Sequence, residues 1–219
     1  EWLGQGDGGT GCMTDHWGNR RVDDIYIHNG RERRIPGYGP DVFFDAAMSY
    51  IAEPDDRPFL IYLATYIPHN PTSVPDTRWA DPYRESVPLE TAYFYSSIER
   101  ADYNLGRLRA RLQELGIADN TIILFMTDNG TAQGHHVYNA GMRGNKGSVY
   151  DGGHRVPCFL HWPAAGLDNG RDIDGLTCHI DLLPTLLDLA FDRHSATQPQ
   201  EMDGTSLARA PAILLMTGV

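Results

Sequence analysis

Apolar residues recur along this chain with helical spacing in three stretches. Between residues 41 and 52 they fall at positions i, i+3, i+4 and i+7, the spacing of an amphipathic helix. The same alternation of three and four runs through Thr91–Leu115 and stops at Gly116, a residue type that commonly follows the last helical turn. A third helix is predicted over Asp181–Ala190, with the Asp181 side chain as its N-cap.

Short continuous apolar runs predict the strands between these helices. Pro58–Thr65 and Ile122–Met126 are apolar and bounded by turn residues, which is typical of strands buried on both faces. Val156–Trp162 is a third run, and its proline at the second position favours an edge strand or a strand start. The order of strand, long helix and strand predicts a parallel crossover. We therefore predict an α/β fold with a mixed, mostly parallel sheet sandwiched by helices.

The polar and glycine-rich stretches divide the chain into three regions. Residues 1–40 are rich in Gly, Asp, Asn and Arg, and they are predicted to be a loop-rich entry with a short hairpin near Ile25–Ile27. Residues 41–190 form the predicted α/β core, and residues 191–219 a tail. The Pro-rich segment Thr72–Pro88 is predicted to be a long surface loop, and loops of this length are often functional.

Length and charge exclude several classes of protein. A chain of 219 residues is long enough to bury the core of at least one domain. Its formal net charge of −11 argues against nucleic acid and anionic membrane surfaces as partners, although a local cation can still bind an anionic substrate. No apolar run approaches the roughly 20 residues that a membrane-spanning helix needs.

The cysteines and one acidic pair are predicted to have no metal role. Three cysteines are an odd number, and their spacing is not that of a metal site. We predict that Cys158 and Cys178 are small core residues and that Cys12 is a loop residue. Asp23–Asp24 is predicted to be a solvated turn, because no buried strand precedes it.

Four side chains with useful chemistry follow the predicted strands or lie in glycine-rich loops. His69 follows the first strand, Asp128 and Asn129 follow the second, and Lys146 lies among glycines. The carboxylate and carboxamide oxygens suit Ca²⁺ or Mg²⁺. Singly, these residues also fit a turn, a structural histidine and a solvated lysine. Together they suit a tetrahedral oxyanion ester, since cations neutralise its charge and a histidine protonates the leaving oxygen.

The segment Met142–Pro157, MRGNKGSVYDGGHRVP, resembles a family signature, R-G-x-K-G-x-x-[WY]-[ED]-G-G-x-R-V-P. This is the signature of the type I sulfatases of the alkaline-phosphatase-like superfamily. Further similar segments cover nearly the whole chain: Gly8–Gly11, Asp15–Asn19, Gly37–Gly39, Asp41–Phe44, Phe59–Leu63, Pro68–His69, Asp119–Thr121, Thr127–Gly130, Asp181–Thr185 and Asp203–Leu207.

The resemblance implies a role for each of the four side chains. Asp128 and Asn129 would ligate Ca²⁺, and Lys146 would contact the sulfate group and the leaving-group oxygen. His69 would hydrogen-bond the sulfate ester and help to protonate the leaving group. Structural or solvated roles are expected for the other conspicuous residues of these loops: His135, His136, Gly152, Gly153, His154 and Arg155.

The nucleophile of such sulfatases is a formylglycine made from Cys or Ser in the motif C/S-x-P/A-x-R, and this sequence lacks that motif. Ser73 and Ser206 come nearest, but Thr77 and Ala210 stand where the arginine is required. The family's N-terminal Asp-Asp metal pair and its Lys-Trp-His segment are also absent. We therefore expect a catalytic domain truncated at its N-terminus, with an incomplete Ca²⁺ site, little activity by itself and an exposed sheet edge that promotes self-association.

By resemblance, the complete enzyme would hydrolyse a sulfate monoester on a sulfated small molecule or sulfated glycan, in the periplasm or outside the cell. Two alternatives remain open from the sequence. One is a phosphodiesterase or phosphonate hydrolase of the same superfamily, which the nucleophile loop would distinguish. The other is a truncated, non-catalytic binding protein.

Overall fold

The structure is a computed structural model that describes residues 1–5, 15–53, 55–168, 170–191 and 202–209. Cys12, the segment Gly8–Gly11 and the apolar residues 212–216 of the predicted tail lie outside the described residues. The chain forms two compact units. The first comprises Glu1–Ile117 and Thr127–Val156, and the second comprises Ala118–Met126 and Pro157–Val219.

The first unit opens with a three-stranded antiparallel sheet, which contains the predicted hairpin. Its strands are β1 (Leu3–Gly4), β2 (Ile25–His28) and β3 (Arg31–Arg34), paired in the order β1-β2-β3. The hairpin turn Asn29-Gly30 has positive φ at both residues, 49° and 78°, a conformation that these two residue types adopt readily. The predicted hairpin is therefore confirmed, with one further strand on its side.

The two long helices of the first unit are found where the sequence predicts them. Helix α1 spans Gly39–Ala52 and carries a proline in its first turn, where a missing backbone N–H leaves no hydrogen bond unmade. Helix α2 spans Leu89–Glu114. Gly116 has φ +71° just beyond it, so it occupies the left-handed position that commonly ends a helix. Both helix predictions are confirmed to within three residues at each end.

The buried face of α2 differs from the predicted apolar stripe. Ile98, a predicted stripe residue, is 44% exposed. Among the described residues α2 instead packs mainly against α1 and the short 3-10 turn Thr77–Ala80. Its buried positions are Thr91, Ala92, Phe94, Ser96, Ser97, Asn104 and Leu112. All of them except Phe94 and Leu112 are small or polar. The two serine hydroxyls donate to a carbonyl of the helix itself, so their burial costs little.

The predicted strand Pro58–Thr65 is not formed. No ladder partner pairs with it among the described residues, and the parallel crossover to the next strand is therefore not seen there. Leu60 and Tyr62 are 85% and 91% exposed. The predicted strand is therefore wrong, because burial on both faces requires neighbouring strands that the described residues do not supply.

The acidic pair near β2 also differs from expectation. Asp23 lies at the surface, but Asp24 is only 2% exposed, so it is not part of a solvated turn. Its carboxylate accepts hydrogen bonds from the backbone N–H groups of Arg20 and Arg21, both at 2.7 Å. Those donors satisfy the buried charge without a metal.

The second unit contains a two-stranded sheet and the last helix. Strand β4 (Ile123–Met126) pairs antiparallel with β5 (Cys158–His161), so both predicted strands exist. The expected burial on both faces is wrong for β4, because Phe125 is exposed. Cys158 and Cys178 are exposed free thiols, so the prediction that they are core residues is wrong.

The short helix α3 spans Asp151–His154 in the first unit, and helix α4 spans Leu182–Ala190 in the second, close to the predicted range. Asp181 precedes it, but its carboxylate does not cap α4. It accepts hydrogen bonds from the backbone N–H groups of Cys178 and Thr205, both at 2.8 Å. These two donors hold the pKa of Asp181 below its usual range. Through these two hydrogen bonds the Asp181 side chain links the loop before α4 to the segment that contains Thr205.

None of the helices in the described part of the chain combines the length and the apolar character that a membrane span requires.

Candidate functional site

His69 lies in an exposed loop of the first unit, where a buried arginine holds the backbone. The guanidinium of Arg21 donates to the carbonyl oxygens of His69 and Asn70, at 2.8 and 2.9 Å. The ring Nδ1 of His69 lies 2.8 Å from the Asn70 carbonyl oxygen. Since a carbonyl only accepts, Nδ1 carries the proton in this contact. Nε2 has no hydrogen-bond partner among the described residues and is available to a ligand.

Asp128 and Asn129 lie next to each other two residues beyond the end of β4 along the chain. The Asn129 carboxamide nitrogen donates to the Asp128 carboxylate, so the two side chains converge rather than point apart. Asp128 is exposed and Asn129 is half-buried. A carboxylate and a carboxamide at the surface can both present oxygen to a hard cation.

Lys146 lies in a glycine-rich loop before the short helix α3 (Asp151–His154). Its backbone N–H donates to the Thr131 carbonyl at 3.0 Å. Its ammonium group is exposed and pairs with no carboxylate among the described residues. Arg143, at the start of the same loop, stacks with its guanidinium 3.6 Å from the centre of the Tyr150 ring. The loop therefore presents the Lys146 ammonium group to solvent, whereas the Arg143 guanidinium is held against the Tyr150 ring.

Hydrogen bonds join the three loops that carry the predicted residues. The Gln133 side-chain amide donates to the Asn70 side-chain oxygen at 2.8 Å, which links the His69 loop to the segment after Asp128. The bond from Lys146 to Thr131 links that same segment to the lysine loop. The structure thus brings all four sequence-predicted residues onto one connected set of loops within the first unit.

Glycines make the closest contact between these loops possible. The Gly130 N–H donates to the Gly153 carbonyl at 2.9 Å, and a side chain at Gly130 would overlap the Gly152 carbonyl oxygen. A side chain at Gly152 would in turn overlap the Gly144 carbonyl oxygen. The sequence Gly152-Gly153 thus has the structural role that was expected of it. Only glycine lets three backbone segments approach this closely.

The ionisable groups behind His69 are shielded from water. Burial is the main cause that raises the pKa values of Tyr26 and Tyr66 far above the usual range of tyrosine. Burial also lowers the pKa of Arg21, and the neighbouring tyrosines and Asp24 oppose that shift. An arginine remains charged even so. The two phenols thus stay neutral, and the guanidinium supplies a fixed positive charge beneath the His69 backbone.

The donor set fits a hard divalent cation in part. Asp128 and Asn129 offer two oxygen ligands, whereas Ca²⁺ takes six to eight. No group of three or more His, Cys, Asp or Glu side chains is arranged as a metal site in the part of the chain that the structure describes. Asp128 and Asn129 are therefore chemically suited to Ca²⁺ but are only part of a coordination sphere.

Sequence reasoning missed Arg21, Asn70 and Gln133, which connect the site. Nothing in the sequence near Arg21 distinguishes it from other arginines of the N-terminal region, because its partners lie 48 and 49 residues away. The histidines were expected to be structural or solvated. His136 and His154 are exposed, and His135 is half-buried with an Nδ1 atom that has no hydrogen-bond partner among the described residues.

The described residues form an α/β protein, and three hydrogen-bonded loops of its first unit carry His69, Asp128, Asn129 and Lys146. The family model named Sulfatase matches residues 7–192, and the chain belongs to the sulfatase family. The resemblance that the signature segment indicated is thereby confirmed.

The curated relatives are considerably longer than this chain. The uncharacterized sulfatase YdeN of Escherichia coli (strain K12) is 33% identical over 216 residues, which cover 94% of this chain and 37% of that protein. Steryl-sulfatase of Mus musculus is 34% identical over 158 residues, which cover 67% of this chain and 23% of that protein. The chain therefore spans about two fifths or less of the length of these relatives.

Solved structures confirm the predicted fold class, which is α/β and alkaline-phosphatase-like. Ps i-CgsB in complex with k-i-k-neocarrahexaose superposes with a TM-score of 0.75 at 28% identity, covering 84% of this chain and 40% of that one. A second protein, in complex with its substrate D-glucosamine-2-N,6-O-disulfate, superposes with a TM-score of 0.71. It is 17% identical and covers 85% of this chain and 55% of that one, so it shows the fold alone.

Proposed function

We propose that this chain forms the part of a sulfatase that binds a cation and the sulfate group, and that the whole protein hydrolyses sulfate monoesters. The observation that carries the proposal is the hydrogen-bonded connection of three loops. These loops carry a histidine whose Nε2 has no hydrogen-bond partner among the described residues, a carboxylate beside a carboxamide, and a lysine without a carboxylate partner there. These are the groups that a sulfate ester needs for charge neutralisation and for protonation of its leaving oxygen.

Each residue has a separate task in this proposal. Lys146 neutralises part of the sulfate charge and contacts the bridging oxygen. In the whole protein a nucleophile from outside this chain would bond to sulfur as the S–O bond breaks, and His69 would donate a proton from Nε2 to the departing oxygen, so that the alcohol leaves neutral. Ca²⁺, when bound through Asp128 and Asn129, supplies further positive charge beside the sulfate oxygens. Since the sequence has no C/S-x-P/A-x-R motif, the chain by itself is proposed to release little or no sulfate.

The proposed substrate class is a sulfated glycan. Two proteins of the same fold were solved with a neocarrahexaose and with a glucosamine disulfate. The unpaired Lys146 and the exposed loop of His69 lie at the surface of the first unit, where the sugar of a long chain could remain outside the site.

Calorimetric titration with a sulfated monosaccharide and with its unsulfated parent sugar tests this proposal. In the presence of Ca²⁺ we expect binding of the sulfated sugar only, and Lys146→Met should weaken it about tenfold, which corresponds to the loss of one charged contact. Arg171→Met, in the second unit, makes the same change of charge at an exposed position and is the control. Equal binding of both sugars, or a preference for a phosphodiester or phosphonate, would refute the sulfatase proposal.

The calcium site makes a separate prediction. With two protein ligands, we expect Ca²⁺ to bind the chain with a dissociation constant on the order of 1 mM, and Asp128→Ala to abolish this binding. Asp168→Ala removes the same charge from an exposed position of the second unit and should leave Ca²⁺ binding unchanged. Tight stoichiometric binding, or equal effects of the two substitutions, would contradict the proposed ligand pair.

Self-association through an exposed, unpaired segment is also proposed. Leu60 and Tyr62 lie on the unpaired segment that was predicted as a buried strand, and both are almost fully exposed. Apolar side chains on an unpaired edge favour pairing with another chain. Light scattering at micromolar concentration should therefore show species larger than a monomer, and Leu60→Lys should reduce them. A clean monomer at all concentrations would contradict this prediction.

A further inference from the structure

Arg21 is a buried cation whose two terminal nitrogens donate to one short loop, while its Nε has no hydrogen-bond partner among the described residues. Its residue is only 2% exposed, although arginine is rarely buried without a charged partner. Nη1 and Nη2 donate to two successive carbonyl oxygens, those of His69 and Asn70, at 2.8 and 2.9 Å. The planar fork of a guanidinium fits two acceptors held side by side, which an ammonium group does not.

The second of these carbonyls, that of Asn70, also accepts a hydrogen bond from the His69 ring. The Asn70 oxygen lies 2.8 Å from Nδ1 of His69 and 2.9 Å from Nη2 of Arg21. One acceptor thus serves a buried guanidinium and the imidazole together. The position of that oxygen determines both the orientation of the ring and which ring nitrogen carries the proton.

Arg21 is itself held in place on several sides. Its guanidinium carbon lies 4.5 Å from the centre of the Tyr66 ring. Its backbone N–H donates to the buried carboxylate of Asp24 at 2.7 Å, and its carbonyl accepts from Gly39 N–H at 2.8 Å. None of the backbone bonds depends on the guanidinium. A change of side chain can therefore remove the fork and leave the local backbone hydrogen bonds intact.

We propose that Arg21 is a positioning residue for His69: through the Asn70 carbonyl it holds the imidazole as the Nδ1–H tautomer and directs Nε2 to the ligand. The value of this arrangement for hydrolysis rests on the function proposed above, in which Nε2 of the doubly protonated ring gives its proton to the leaving oxygen. After that transfer the ring retains the Nδ1 proton and its bond to Asn70. No other proton needs to move.

The first test uses the unaltered 219-residue chain. Two-bond ¹H–¹⁵N NMR spectra, recorded about two pH units above the ordinary pKa of histidine, distinguish the two neutral tautomers of each ring. The His69 signals are assigned by their loss in His69→Gln. We expect the Nδ1–H form to predominate for His69. A predominant Nε2–H form would overturn the proposal directly, without any change to Arg21.

The second test separates positioning from a merely structural role. In Arg21→Lys we expect the ratio of Nδ1–H to Nε2–H at His69 to fall about tenfold, the change that loss of one charge-assisted hydrogen bond produces. Arg34→Lys is the control, because Arg34 also donates from β3 to a backbone carbonyl, that of Asp23 at 2.6 Å. An unchanged tautomer ratio in a folded Arg21→Lys protein, even one of lower stability, would refute the positioning role.

If Arg21→Lys does not fold, a second variant, Asn70→Gly, still tests the proposal. Asn70→Gly keeps the carbonyl that Arg21 and His69 share but removes the side chain that accepts from Gln133. Its tautomer ratio should equal that of the unaltered chain, and a shift towards Nε2–H would assign the control of the ring to Gln133 instead.

The two proposals fail separately. If the Nδ1–H tautomer depends on Arg21 but the sulfated sugar does not bind, the inference on Arg21 stands and the sulfatase function is wrong. If the sugar binds with its sulfate specificity while the tautomer is independent of Arg21, the positioning role is wrong and the function stands.

Discussion

Replacing Gly130 by alanine is expected to destabilise the chain by about 3 kcal/mol, the upper range for an overpacked position. The new methyl group would overlap the Gly152 carbonyl oxygen, and backbone cannot rotate away as a flexible side chain can. Relief of the overlap would break the 2.9 Å bond from the Gly130 N–H to the Gly153 carbonyl. Since this bond joins the loop of Asp128 to the loop of Lys146, we also expect weaker binding of the sulfated sugar.

Urea unfolding followed by tryptophan fluorescence measures the first effect, and calorimetry with the sulfated sugar measures the second. Gly106→Ala is the matched control, because Gly106 lies inside α2 with nothing within 4 Å of the added methyl group. There alanine should stabilise the chain by about 0.5–1 kcal/mol, since it is the better helix former. A Gly130→Ala protein as stable as the unaltered chain would show that the two loops are not in contact.

Replacing Asp41 by asparagine is expected to cost about 3 kcal/mol, the usual effect of removing one partner from a largely buried ion pair. The carboxylate in the first turn of α1 accepts two hydrogen bonds from the Arg100 guanidinium and one from the Asn104 side chain at 2.7 Å. Only 18% of the Asp41 side chain and 24% of the Arg100 side chain is exposed. A neutral amide would leave the guanidinium partly buried without its counter-charge.

The same two helices provide the control for Asp41. One turn further along, Asp45 pairs with Arg107 at 2.6 Å, but its side chain is 56% exposed. Asp45→Asn should therefore change the free energy of unfolding by less than about 1 kcal/mol, as is typical of surface ion pairs. Urea unfolding of both proteins compares the two positions. Similar losses at Asp41 and Asp45 would contradict the view that burial makes the first pair important.

The strand and helix positions that were predicted correctly share a physical basis. Helix α1, helix α2 and the β2–β3 hairpin are specified by local spacing, by a glycine beyond the helix end and by an Asn-Gly turn. Such signals act within a few residues and are visible without the rest of the fold. Pro58–Thr65 was predicted wrongly because pairing depends on distant chain, which a local apolar pattern does not reveal.

The candidate site likewise has features that the sequence predicts and others that only the tertiary structure reveals. The sequence by itself determined the family, through the spacing of Arg143, Lys146 and the glycines that follow, and it determined which side chains carry useful chemistry. Only the tertiary structure decided that His69 is held by Arg21 and that Gly130 lies against Gly152, since those pairs are separated by 48 and 22 residues. The order of residues along the chain decides which side chains a loop contains. Tertiary packing decides which distant loop it contacts and which nitrogen of the His69 ring has no hydrogen-bond partner among the described residues.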